Sequence, residues 1–214
     1  MTCWHCWAGG VTAAQAVCAA CSAVQPPQAI DHFALLGQPR GFDLNLPALE
    51  QAYVTGQQAV HPDRLVRRST RERAYAASHS ANLNDAWKTL RDPLRRALYL
   101  CQLLGIDLGS SDGRFADAPH LLQENMELHE AFMEAAGDMA ATAALHHQVA
   151  GLVQQQLSQL GDDFATYLAA HLATHGDAPT PTPKDAPEGE AIHPSAAAAA
   201  IRLGTLRLQF LMKL

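Results

Sequence analysis

The sequence predicts an all-α protein: a small N-terminal cysteine module, a helical domain built on an antiparallel hairpin, and a C-terminal three-helix bundle. Three observations lead there. Apolar residues recur with a helical period from Asp31 onward. No segment beyond the first 25 residues alternates with a sustained strand period. Pro, Gly, Asn and Asp fall at the breaks between periodic stretches, where helices start and stop.

The 214 residues suffice for one large domain or two small ones, and 48% hydrophobic against 17% charged residues fits a globular core. A formal charge of -6 argues against non-specific binding to nucleic acid or to an anionic membrane. No apolar run approaches the ~18 residues of a spanning helix. The opening "MTCWHCWAGG" has neither the basic start of a signal peptide nor an Arg-rich transit stretch. The expected compartment is therefore a bacterial cytoplasm, or the mitochondrial matrix if the source is eukaryotic. An odd number of cysteines, five, suits a reducing compartment.

In chain order, "DHFALLG" predicts a short helical turn ended by Gly37. Asn45 caps the next helix with Pro47 in its first turn, and Leu49, Ala52, Tyr53 and Ala59 or Val60 face inward. That helix stops at "HPD", residues His61, Pro62 and Asp63, because proline cannot continue it. The triplet is expected as a tight exposed turn. A helix from about Thr70 to Leu90 follows, with Ala74, Ala77, Ala81, Leu83, Trp87 and Leu90 inward. Asp92-Pro93 opens another, in which Ala97, Leu98, Leu100, Cys101 and Leu104 pack inward until Gly105. Residues 1–28, 29–105 and 119–214 are then the domains, joined by a polar connector over 106–118. The last domain holds helices at Leu121 to about Ala136, Ala140 to about Ala173 and Ser195 to Leu214. A Pro-rich linker over 176–194 interrupts it.

Cys3, Cys6, Cys18 and Cys21 form two C-x2-C pairs eleven residues apart. Two such knuckles complete a tetrahedron of thiolates, so structural zinc is the expected cofactor. Redox-active pairs or incidental thiols are the other readings. His5 is an alternative ligand within the first knuckle, and Trp4 and Trp7 are expected to cover the module. With no Lys or Arg from Met1 to Gln28, the module is not expected to meet phosphate.

"HPD" between two helices resembles the signature of J-domain co-chaperones of DnaK-type chaperones. "NLNDAWKTLRDPLRRALYL" at Asn82 to Leu100, "LLQENMELHEAF" at Leu121 to Phe132 and the terminal "RLQFLMKL" resemble the HscB branch of that family. "CWHC…CAAC" followed by "QPP" is similar to the metal-bearing extension of mitochondrial-type members. The resemblance implies a co-chaperone of iron–sulfur cluster assembly with no active site of its own, and a monomer is the default for such a delivery protein. Such a protein brings the scaffold IscU to an HscA-like DnaK-type chaperone and stimulates its ATP hydrolysis.

The resemblance places His61, Pro62 and Asp63 at the chaperone. The run Arg64, Arg67, Arg68, Arg71 and Arg73 offers a positive patch there, or else is simply a solvated helix start. The helix before "HPD" departs from the family in carrying no Lys or Arg, and Gly56 sits in its middle. By resemblance, Leu122, Gln123, Met126, Glu127, Glu130 and Phe210 meet the scaffold. Leu122, Met126 and Glu130 are spaced to share one helix face, and core positions are the lesser reading for Leu122 and Met126. Leu121, Leu128 and Phe132 are the preferred core members. A general J-protein, or a zinc-dependent interaction or redox module with an idle "HPD", are the competing functions.

Overall fold

The structure, a computed structural model, describes residues 1–109, 118–175 and 196–214. The Pro-rich linker and the centre of the expected connector lie outside the described residues. The described chain forms α1 (His32–Leu35), α2 (Leu46–Ala59), α3 (Pro62–Leu65), α4 (Thr70–Arg91), α5 (Pro93–Leu103), α6 (Pro119–Glu134), α7 (Met139–His175) and α8 (Ala196–Leu211). Among these residues there is no strand, only an antiparallel bridge between Val17 and Val24. Two compact units, Met1–Arg96 and Ala97–Leu214, divide the chain within α5.

Short polar side chains set the helix starts by taking otherwise orphaned backbone N–H groups. Asp31 accepts from Ala34 N–H at 2.8 Å, Asn45 from Ala48 N–H at 3.1 Å and Asp92 from Arg95 N–H at 2.9 Å. At α4 the cap is reciprocal: Ser69 accepts from Glu72 N–H while Glu72 accepts from Ser69 N–H.

In the first unit α2 and α4 run antiparallel. Tyr53 donates its hydroxyl to Asn84 at 2.8 Å, and one turn later Gln57 exchanges hydrogen bonds with Ser80. Tyr53 also stacks on Trp87 with ring centroids 5.2 Å apart. Gly56 has a reason to be small. A Cβ there would stand 3.0 Å from both methyl carbons of Leu83, so the glycine gives up helix propensity for close approach.

The inward face of α4 differs from the sequence expectation. Its buried residues are Glu72, Ala76, His79, Leu83, Ala86 and Leu90, while Ala74, Ala77 and Ala81 are exposed and Trp87 is half-buried. The expectation followed apolar residues, but two polar residues hold the buried stripe because each has a specific partner. His79 Nε2 meets the Gln25 carbonyl at 2.9 Å. At the other end of α4, the buried Arg96 donates to the Leu90 carbonyl at 2.6 Å and lies over the Phe42 ring.

In the second unit Ala97, Leu100, Cys101 and Leu104 are buried, as expected, and Leu98 is half-buried. Helices α6, α7 and α8 form the bundle, with Leu160, Phe164, Ile201, Leu206 and Leu208 fully buried. At Gly204 on α8 an added Cβ would stand 2.8 Å from Gln156 Nε2 and 3.0 Å from Leu160 Cδ2, both on α7. Gly151 of α7 meets nothing within 4 Å. Gly204→Ala is expected to cost about 1–3 kcal/mol through overpacking. Gly151→Ala should gain about 0.5–1 kcal/mol from helix propensity. Urea unfolding of both variants checks the contrast.

Candidate functional site

Three groups of residues are the candidate sites, and the first is the cysteine cluster. Tight turns bring Cys3, Cys6, Cys18 and Cys21 together with their ligand atoms all within 4.8 Å. Cys3 and Cys21 sulfurs are 3.7 Å apart and those of Cys6 and Cys18 are 3.9 Å apart. A disulfide would need about 2.05 Å, so these are free thiols. Four sulfurs each ~2.3 Å from a shared centre make a tetrahedron with edges of ~3.8 Å, which matches. The cluster can hold one metal ion.

The surroundings favour thiolate. Burial opposes charge on Cys3, but N–H groups around it, of Cys6, His5 and Gln25, hold its thiol down at about 6. Cys21 receives the Ala23 N–H, yet burial and its three cysteine neighbours push it up to about 12. The pocket thus accepts one thiolate readily and resists the last, and a cation would relieve that conflict. His5 is exposed, and the cluster is made by the cysteines alone.

The two tryptophans do not act alike. Trp4 donates its indole N–H to the Val24 carbonyl at 2.7 Å, with Arg71 over its ring and Tyr75 at its edge. Trp7 is 77% exposed and covers nothing. Its positive φ of 61° follows from the knuckle turn, in which its N–H returns to the Cys3 carbonyl, so the expected cover is provided by Trp4 only.

The second group is the "HPD" segment, which is more ordered than a plain turn. His61 is the N-cap of α3 and Pro62 its first residue. His61 Nδ1 accepts the Asp63 N–H at 3.3 Å, so the neutral ring carries its proton on Nε2. Asp63 has its side chain 90% exposed. Arg64, Arg67 and Arg73 are exposed as well. Arg68 instead reaches back to Glu72 at 3.5 Å. On α2, among 14 residues, Glu50 is the only charged one.

The third group lies on α6. Leu122 and Met126 are 48% and 57% exposed, and Gln123, Glu127 and Glu130 are exposed beside them. Leu121 and Leu128 point the other way and are buried, with Phe132 packed against the cluster that holds Leu128. Phe210 of α8 is half-buried against the cluster of Ala118, Leu121 and Leu206. Arg207 fixes the rotation of α6: its guanidinium grips Glu124 through two hydrogen bonds of 2.6 and 3.0 Å and also reaches Gln156.

No family model matches the chain. A co-chaperone protein HscB homologue of Bordetella pertussis is 41% identical over 143 residues, 65% of this chain and 84% of the relative. The chain belongs to the HscB family of co-chaperones. An HscB homologue of Arabidopsis thaliana, named as an iron–sulfur cluster co-chaperone, is 34% identical over 76% of this chain and 61% of its own length. Among solved structures, human co-chaperone HscB covers 100% of this chain and 94% of its own, with a TM-score of 0.74 and 25% identity. HscB from Vibrio cholerae covers 86% of this chain and 92% of its own at a TM-score of 0.66 and 28% identity.

Within this HscB-family chain, sequence reasoning missed Glu72 and His79. Glu72 is buried, and its carboxylate takes the Val24 N–H at 3.4 Å besides Ser69 and Arg68. The "S-x-x-E" spacing of Ser69 and Glu72 was the available signal for its capping role; nothing local announces the contact to Val24. Burial raises the Glu72 pKa, but the Ser69, Val24 and Arg68 partners outweigh it and hold the carboxyl below its usual range. A depressed folded pKa stabilises above the unfolded value of ~4.3 and is lost as pH falls through the folded one. Glu72→Gln is therefore expected to lower stability by about 1–2 kcal/mol at neutral pH. The gap to wild type should close as the pH is lowered through the acidic side of ~4.3, read from urea unfolding as a function of pH.

Proposed function

We propose that this chain is a co-chaperone of iron–sulfur cluster biogenesis, one that binds an IscU-type scaffold and engages an HscA-like DnaK-type chaperone. The observation that carries the reading is the exposed His61-Pro62-Asp63 segment at the tip of an antiparallel helix pair, in a chain of the HscB family. Pro62 fixes the backbone and the His61 ring holds the Asp63 N–H, so the Asp63 carboxylate is presented to a cationic group without a mobile backbone. Arg64, Arg67 and Arg68 supply positive charge next to it. Because α2 brings no cations, we assign the electrostatic part of the chaperone contact to these arginines.

Leu122, Gln123, Met126, Glu127, Glu130 and the exposed edge of Phe210 form the scaffold face. An adaptable thioether and a leucine flanked by carboxylates suit a groove with apolar walls and a basic rim. Holding scaffold and chaperone at once raises the scaffold's effective concentration at the chaperone. The contact at Asp63 accelerates hydrolysis only by favouring the chaperone's hydrolysis-competent conformation. The chain itself needs no catalytic residue, and it works as a monomer. Its expected compartment remains the bacterial cytoplasm.

The metal that fits Cys3, Cys6, Cys18 and Cys21 is zinc, with a structural role: it cross-links two turns whose only buried apolar companion in their cluster is Val11.

The decisive experiment measures the ATPase rate of an HscA-type chaperone with IscU and with this protein as wild type or Asp63→Asn. Stimulation that requires IscU and falls to the basal rate with Asp63→Asn is the expected result. Stimulation independent of IscU indicates a general J-protein, and none at all removes the proposal. For the metal, elemental analysis should find one zinc per chain, lost in Cys18→Ser, with chelation exposing the Trp4 fluorophore. Iron in place of zinc, or thiols that cycle with disulfides, would overturn the structural role.

A further inference from the structure

We propose that Glu72 is a positioning residue through which the tetracysteine module sets the "HPD" segment, so that full-affinity engagement of the chaperone requires the intact metal module. The inference rests on the chaperone contact proposed above and adds what governs it.

A continuous path of contacts runs from the thiols to α3. Gln25 donates through Nε2 to Cys3 Sγ at 3.3 Å and to the Ala23 carbonyl at 2.8 Å. Its own carbonyl receives His79 of α4. The neighbouring Val24 carbonyl takes the Trp4 indole N–H, and the Val24 N–H goes to Glu72 Oε1. The same oxygen meets Arg68 Nη1 at 3.5 Å, while Oε2 takes both the N–H and the hydroxyl of Ser69, at 3.1 and 2.9 Å. Arg68 N–H in turn donates to the carbonyl of Leu65, the last residue of α3.

An ordinary capping box asks its carboxylate for one contact, the N–H of the cap. Glu72 makes that bond, takes the Ser69 hydroxyl as well, and reaches two partners beyond the cap, one in the metal module and one at the residue that ties off α3. Capping α4 explains neither extra contact; linking the module to the loop explains both. The module's cluster buries only Cys3, Val11 and Cys18, so its fold depends on metal, and metal loss would withdraw Val24 and Gln25 from α4. Arg71 over Trp4 lies on the same route. Coupling of this kind needs an element with two arrangements that both sites bias. In this proposal the segment from Pro62 to Ser69 serves as that element.

The test uses the full chain in two arms. Hydrogen exchange over residues 61–69 compares metal-loaded with chelated protein. ATPase titrations with chaperone and scaffold yield the half-saturating co-chaperone concentration and the maximal rate. Chelation of the wild type is expected to speed exchange in that segment and raise the half-saturating concentration at least about fivefold, leaving the maximum unchanged. Glu72→Gln, with unchanged metal content, should show the raised concentration already, and chelation should add little. Unchanged exchange and half-saturation after chelation overturn the proposal. So does a Glu72→Gln protein that keeps its metal and matches wild type in both arms. If Glu72→Gln does not fold, the chelation arm decides. Should metal-loaded wild type fail to stimulate, the co-chaperone reading fails and the exchange arm decides this one.

Discussion

Helix α4 needs a polar surface to be buried, and the first unit is arranged around meeting that need. A helix of 22 residues that buries Glu72 at its start and His79 two turns on must find partners for both, or lose about 1–3 kcal/mol for each unmet polar group. His79 finds its partner in the Gln25 carbonyl, and the Val24 N–H adds to the Ser69 and Arg68 contacts of Glu72. The N-terminal residues are thus not an appendage to a self-sufficient helical pair; they complete its hydrogen bonding. The same constraint explains why the module lacks a core of its own. Its backbone spends its exposed edge on α4, and its interior is given over to sulfur.

Charge is distributed to match. The first Lys or Arg in the chain is Arg40, and α2 has none, whereas Arg64, Arg67, Arg68, Arg71 and Arg73 crowd the ten residues that bracket the start of α4. Three of the five have partners within the fold, Arg68 on Glu72, Arg71 over Trp4 and Arg73 on the Thr70 hydroxyl. A positive patch and a structural fastening share one run of sequence, which is why its composition alone did not separate surface from brace.

Helix boundaries were legible because caps are local: Asn45 and Asp92 announce α2 and α5 within a few residues. The cysteine cluster was legible because ligand spacing is a local property too. The face of α4 was not. Alanine satisfies either side of a helix, so Ala74, Ala77 and Ala81 gave a plausible stripe, and only a partner 54 positions away makes His79 an interior residue. Trp7 failed for a related reason. Its size suggested cover, but a left-handed backbone at φ 61° turns it to solvent. On α6 the ambiguity of Leu122 and Met126 is removed by Arg207, whose grip on Glu124 joins residues 83 positions apart.

That grip also bears on how a partner would be held. With the helix unable to roll, the outward leucine and methionine are displayed in a frame that exists before any encounter. Little ordering of backbone remains to oppose association; the entropy still to be surrendered belongs to a few rotatable bonds of Leu122 and Met126. Arrival rates on such a face change little with its side chains, and residence time carries the differences. Selectivity written on α6 would then be read as how long a complex lasts.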